Sequence, residues 1–130
     1  MTWSFTDETL LVPIELSNPF LDTHYPPDGS VMAVLDTGFT GFLLVPNSVF
    51  RELRLDELKP IVTTGELADG TSIQLRGAYG TVRICELDFM DGGLIETTPK
   101  IREIILGIRG TKRLRTVVDG CRRLLAMERC

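Results

Sequence analysis

Asp36, followed by Thr37 and Gly38, is the one carboxylate in the stretch VMAVLDTGFTGFLLVP, residues 31–46. An ionised carboxylate in apolar surroundings is costly unless it is paired, hydrogen-bonded or neutralised. Two readings of Asp36 are open from the residues alone. It caps a turn at the end of the VMAVL strand by accepting local amides. Or it is presented in a cleft, with Gly38 giving the backbone room to turn. The remaining acids divide more simply. Asp-Gly occurs at 28–29, 69–70, 91–92 and 119–120, and each pair reads as a turn.

Other reactive side chains offer less. Cys85, Cys121 and Cys130 are scattered, no CxxC pair exists, and His24 is the single histidine. That set does not make a zinc site, and no cofactor or metal is expected. The expectation is three reduced thiols that no histidine activates. His24 falls in a Pro-rich loop, where a surface position is expected. The first residues, MTWSFTDETL, lack the basic and apolar regions of a signal peptide, so a cytoplasmic location is expected. No apolar run approaches the roughly 18–20 residues of a membrane span.

The elements that must position Asp36 read as short strands. Residues 9–16 (TLLVPIEL) form a strand that Pro13 pushes toward an edge. Residues 17–30 read as one long loop. VMAVL and GFLLVP are buried strands flanking the Asp36 turn. NSVFRELRL, residues 47–55, has helical spacing, with Asn47 or Ser48 as N-cap. ELADGTSIQL, residues 66–75, is a hairpin about Asp69-Gly70. GTVRICELDF is a strand, and DGGLIETTPK a turn and an extended piece. IREIILGI, RTVVDG and RRLLAMER complete the set. Tyr79 is expected in the strand after the hairpin, and Met32 and Met90 in the core. Many short strands with little helix imply a single all-β domain, a small barrel or sandwich. With 130 residues, 43% hydrophobic and 25% charged, the chain can bury a modest core. Its net charge of −4 argues against a nucleic-acid partner.

Taken together, VLDTGFTGFLLVP resembles the active-site segment of retropepsin-like aspartic proteases, in the DTGF form of single-domain prokaryotic members. A second signature supports the resemblance. Ile105, Leu106 and Gly107, in IILGIRGTKRLRTVVDG (residues 104–120), match the family's apolar-apolar-Gly followed by a short helix and a strand. The hairpin at ELADGTSIQLRG lies where the family carries its flap. The run Ile108-Arg109-Gly110-Thr111 departs from the family pattern, and Gly110 is expected to weaken the short helix by about 1 kcal/mol relative to alanine. The basic run TKRLR is read as that helix's solvated face. The flap also lacks the several glycines of retroviral flaps, so their mobility does not carry over.

The resemblance implies a closed β-barrel or sandwich with one or two short helices and a flap hairpin. It further implies an aspartic endopeptidase acting on a peptide or protein substrate. Asp36, Thr37 and Gly38 would be catalytic. Phe39, Leu67, Ala68, Asp69, Gly70, Thr71, Leu106 and Gly107 would bind substrate. Two carboxylates about 3 Å apart share one proton; one acts as base on a water and its protonated partner hydrogen-bonds the scissile carbonyl (aspartic proteases are the standard example). This chain has one Asp-Thr-Gly, so the resemblance implies a homodimer with Asp36 and Thr37 at the two-fold axis. The terminal strands TLLVPIEL and RRLLAMER are the expected interface. The alternative is a non-catalytic dimerisation or peptide-binding module on the same fold.

Overall fold

The computed structural model describes residues 1–66 and 69–130. In chain order its strands are β1 (Thr2–Ser4), β2 (Leu11–Asn18), β3 (Thr23–Tyr25), β4 (Val31–Leu35) and β5 (Leu43–Val45). Helix α1 (Asn47–Glu52) and a 3₁₀ turn (Leu55–Glu57) lead to β6 (Ile61–Glu66), β7 (Ser72–Ile84), a second 3₁₀ turn (Cys85–Leu87) and β8 (Phe89–Thr97). Then come β9 (Ile105–Leu106), α2 (Ile108–Thr111), β10 (Leu114–Asp119) and β11 (Leu124–Arg129). The fold is all-β, as the many short strands suggest.

Strands β2, β4, β9, β5, β8 and β7 pair in that order, and β2 pairs again with β7, which closes a six-stranded barrel. Closure leaves none of those six as a sheet-edge strand. The barrel holds the core. Val12, Ile14 and Leu16 of β2, Ala33 and Leu35 of β4, and Val82 and Ile84 of β7 point inward at the two-residue period of a strand. Asn18, fully buried, is satisfied in place. Its Nδ2 donates to the Leu53 carbonyl at 3.0 Å, and its Oδ1 accepts from the Phe20 and Leu21 amides. That side chain ties β2 to the end of α1.

Several expectations are corrected. Pro13 does not make β2 an edge strand. β2 pairs with β4 alone over Leu11–Ile14, then with β7 over Glu15–Ser17 and with β3 from Leu16. Pro13 is thus tolerated in the half of the strand with one partner. The loop at 17–30 contains β3, paired with the end of β2. Helix α1 has Pro46 at its N-cap, with no capping side chain; Asn47 Oδ1 instead accepts a hydrogen bond from Thr97 Oγ1 at 2.8 Å. Asp91-Gly92 is not a turn. It lies within β8, opposite Val82 and Thr81 of β7. The extended run at 101–108 shrinks to the two-residue β9. Met32 and Met90 are 56% and 61% exposed, because the alternation puts Ala33 and Phe89 inside instead. Tyr79 lies in β7, as read from the sequence, and His24 is exposed.

The chain ends form a separate three-stranded sheet, in the order β1-β11-β10. β11 is therefore its centre, not an edge. Trp3 and Phe5 pack against the core from this side. Among the described residues, no helix is long and apolar enough to cross a membrane.

Candidate functional site

Strands β4 and β5 are consecutive, yet they do not pair. β9 lies between them, parallel to β4 (Leu35 beside Leu106) and antiparallel to β5 (Leu43 beside Leu106). The loop 36–42 must therefore arch over the end of β9. The Asp36 amide donates to the Leu106 carbonyl at 3.0 Å, and the Gly107 amide to the Phe42 carbonyl at 3.0 Å. Both feet of the loop are fixed to one strand. The Ile108 amide donates to the Phe39 carbonyl at 2.9 Å and the Arg109 amide to the Gly41 carbonyl at 3.1 Å, so the start of α2 holds its crown.

This arrangement resolves the position of Asp36. The apolar run ends at buried Leu35; Asp36, Thr37 and Gly38 are exposed on the loop. Asp36 Oδ1 accepts the Gly38 amide at 2.9 Å. A Cβ on Gly38 would sit 3.1 Å from that oxygen, so glycine lets the amide come close. The carboxylate is thus both the cap of its own turn and a group facing outward. The two sequence readings are compatible.

A hollow of about 590 Å³ adjoins Asp36 and Thr37. Its walls include Leu10, Ile108, Lys112, Leu114 and Val118. Ile108 is 43% exposed and Val118 52%, on α2 and on the outer strand β10. The basic run is not simply a solvated helix face: Lys112 lines the hollow, and Leu114 is buried at the start of β10.

Of the expected substrate-binding residues, Phe39 is half-buried, with its ring against Gly41 and Gly107. Leu106 is fully buried and Gly107 is buried. They have no surface to offer a substrate, so they support the loop rather than line a cleft. A Cβ on Gly107 would lie 2.8 Å from the Phe39 carbonyl oxygen and closer still to that of Gly41. Only a glycine lets the loop rest there. Gly110 has a similar role. A Cβ on it would meet the Phe42 carbonyl oxygen at 2.9 Å and press into Leu106. The expected helix-weakening glycine is therefore a packing requirement.

The hairpin forms as expected, with β6 and β7 paired from Ile61–Gly77 to Glu66–Ser72. Asp69, Gly70 and Thr71 are exposed at its turn, and Gly70 has φ +85°. The Thr71 hydroxyl and then its amide, at 2.9 Å from Asp69 Oδ1, hold the Asp69 carboxyl below its ordinary value. Leu67 and Ala68 lie outside the described residues. The hollow beside Asp36 is lined by none of the described hairpin residues.

One residue near the loop escaped the sequence reading. Glu96 of β8 is 5% exposed, and its Oε2 accepts a hydrogen bond from Thr63 Oγ1 of β6. In sequence it is one polar residue among the Thr and Glu of an extended piece, and nothing there marks it.

A protein of Archaeoglobus fulgidus described as uncharacterized is 38% identical to this chain over 126 residues, covering 97% of the chain and 98% of the relative. The chain belongs to that protein's family. No family model matches the sequence, and no solved structure matches it.

Proposed function

We propose that the protein is a homodimeric aspartic endopeptidase of the retropepsin-like type, in which Asp36 of two copies shares one catalytic water. The observation that carries this reading is the threading of β9 between β4 and β5. It presents an exposed Asp-Thr-Gly turn whose carboxylate accepts the Gly38 amide. Such a loop is rigid, with its main chain hydrogen-bonded at both feet and crown. Rigid support is what a general base needs, because misplacement by an ångström is expensive in rate.

A single Asp36 supplies one of the two carboxylates the reaction requires. The second copy supplies the other. Three features favour this face for its approach. Ile108 and Val118 are exposed apolar residues beside Asp36. β10 is an outer strand, with backbone groups free to pair. Thr37 is exposed next to the carboxylate and available to hydrogen-bond across the axis. The dyad then works with one member ionised, as base on the water, and one protonated, as donor to the scissile carbonyl. Peptide would run between the dyad and the β6–β7 hairpin.

The test is digestion of a peptide library at several pH values by the wild-type chain and by Asp36→Asn. Cleavage by the wild type alone is expected. Equal cleavage by both, or none by either, overturns the proposal.

A further inference from the structure

Four strands stand at the edges of the two sheets: β1, β10, β3 and β6. A free edge invites pairing with another chain unless it is short or blunted. β1 and β3 have three residues each. β6 follows Lys59-Pro60 and carries Gly65. β10, by contrast, is six residues long, LRTVVD, with no glycine, proline or lysine. It pairs with β11 on one side, and among the described residues no backbone hydrogen bond reaches its other side. Val117 and Val118 in its middle are 46% and 52% exposed.

The residues of β10 fall on two faces. Leu114, Thr116 and Val118 line the hollow that also adjoins Asp36 and Thr37. Arg115, Val117 and Asp119 alternate with them on the opposite face. A two-fold axis perpendicular to the sheet keeps each face on its own side. A residue is then directly opposed only by itself or by one an even number of positions away, which leaves few registers. With Val117 facing its own copy, Arg115 of each chain stands opposite Asp119 of the other, and Thr116 opposite Val118. Two opposite-charge pairs then flank a valine pair, and both kinds of cross-strand pair are favourable. Centring on Val118 instead sets Arg115 against Cys121 and Asp119 against Val117. Centring on Thr116 sets Arg115 against Val117, and Asp119 against Arg113, which Asp91 already holds at 3.2 Å. Within one chain Arg115 has a surface contact with Glu128 at 3.4 Å. Asp119 has one with the Arg122 guanidinium at 3.8 Å and accepts the Arg122 amide at 3.0 Å.

We infer that β10 is the seam between two copies, which pair β10 to β10 antiparallel about Val117, with Arg115 of each copy facing Asp119 of the other. The inference deepens the proposed dimer and rests on it. The two terminal sheets become one sheet of six strands. Val118 of each copy lies against Thr116 of the other, on the side of the hollow, so each chain contributes a residue beside the other's Asp36 site. Both Asp36 loops stand on the same side of the joined sheet, each beside its own β10, as a shared dyad requires. The register matters to that dyad. A slip to the next allowed one moves the copies by two residues along the strand, about 7 Å, far beyond hydrogen-bonding reach.

The experiment reads assembly without any cleavage. In a background with Cys85, Cys121 and Cys130 changed to Ser, the variants Arg115→Cys, Val117→Cys and Asp119→Cys are oxidised and run on non-reducing gels. Opposed residues of an antiparallel pair lie within the Cα separation a disulfide spans. Val117→Cys is therefore expected to cross-link in most of the protein and the other two variants little. A maximum at 115 or 119, or no cross-link at any of the three, overturns the inference. A second arm exchanges charges in the otherwise unchanged chain. Arg115→Asp and Asp119→Arg are each expected to weaken association in sedimentation by on the order of tenfold, because like charges then face one another. An equimolar mixture of the two is expected to recover wild-type association, since the mixed dimer restores both pairs. Damage to the Glu128 or Arg122 contacts alone would leave the mixture as weak as its parts, which overturns the inference. If a charge variant does not fold, the cysteine scan decides. Cleavage is scored separately. A dimer cross-linked at 117 that cleaves nothing supports the seam and removes the proteolytic reading. Cleavage by a protein that cross-links elsewhere overturns the seam and leaves that reading standing.

Discussion

At the scale of single residues, the chain separates groups that look alike in sequence. Asp36 and Asp69 both accept an amide two residues on. Asp69 does so at a hairpin turn, Asp36 on a loop braced by β9. Asp36→Asn is expected to keep the fold, since the amide oxygen can still accept from Gly38, and to abolish peptide cleavage; circular dichroism and a fluorogenic peptide assay check the two halves. The cysteines separate similarly. All three are exposed, but Cys85 donates its S–H to Glu15, and that bond holds the thiol above its ordinary pKa. A raised value means less thiolate at a given pH. Cys85 is therefore expected to alkylate several-fold more slowly at pH 8 than in a Glu15→Gln variant, because the thiolate is the nucleophile. Mass spectrometry after iodoacetamide pulses reads this, and equal rates contradict it.

At the scale of elements, the site is a matter of how closely β9 and α2 approach the 36–42 loop. Gly107 and Gly110 both sit against loop carbonyls. Gly110→Ala improves helix propensity by about 1 kcal/mol, yet its methyl would push into Leu106 and the Phe42 carbonyl. Overpacking of that kind costs typically ~1–3 kcal/mol. A net loss of stability in urea titration is expected, and a gain would contradict the packing described. This is also where sequence reasoning reached its limit. The strands VMAVL, RTVVDG and RRLLAMER and the hairpin were legible, because apolar runs and turn residues mark them locally; the short helix after Gly107 came only from the family resemblance. Pro13 misled because its penalty depends on which neighbours flank that half of β2. Asp91-Gly92 misled because turn residues also fit inside a long twisted strand. Met32 and Met90 misled because apolarity does not say which face of a strand is covered. Asp36 was singled out by its motif; the burial of Glu96 was not foreseen, since it depends on Gly77 in another strand.

At the scale of the whole molecule, the barrel is closed within one chain, and the terminal sheet ends at the outer strand β10. Under the proposed function, the exposed apolar surface beside the loop is where a second copy would sit. Val118→Lys places a charge on outer strand β10 beside Asp36, where a symmetric partner would bring its own lysine opposite. It is expected to shift sedimentation toward monomer and to reduce cleavage in step, while thermal unfolding at low concentration changes little. Activity that survives in a strictly monomeric variant would break the link between assembly and chemistry. A dimer sharing a dyad also gives a bell-shaped pH profile, whose two apparent values belong to the pair.

The most direct measurement joins two chains by a flexible linker and changes one Asp36 to Asn. Asparagine keeps the size and a donor but can neither ionise nor trade a proton. The linked wild-type pair should cleave like the free dimer. The half-mutant retains one carboxylate and loses its partner, and general acid–base contributions are typically ~100 to 10,000-fold, so a loss of at least ~100-fold is expected. If the half-mutant kept half or more of the linked wild-type rate, each Asp36 would act alone, and the shared dyad would be contradicted.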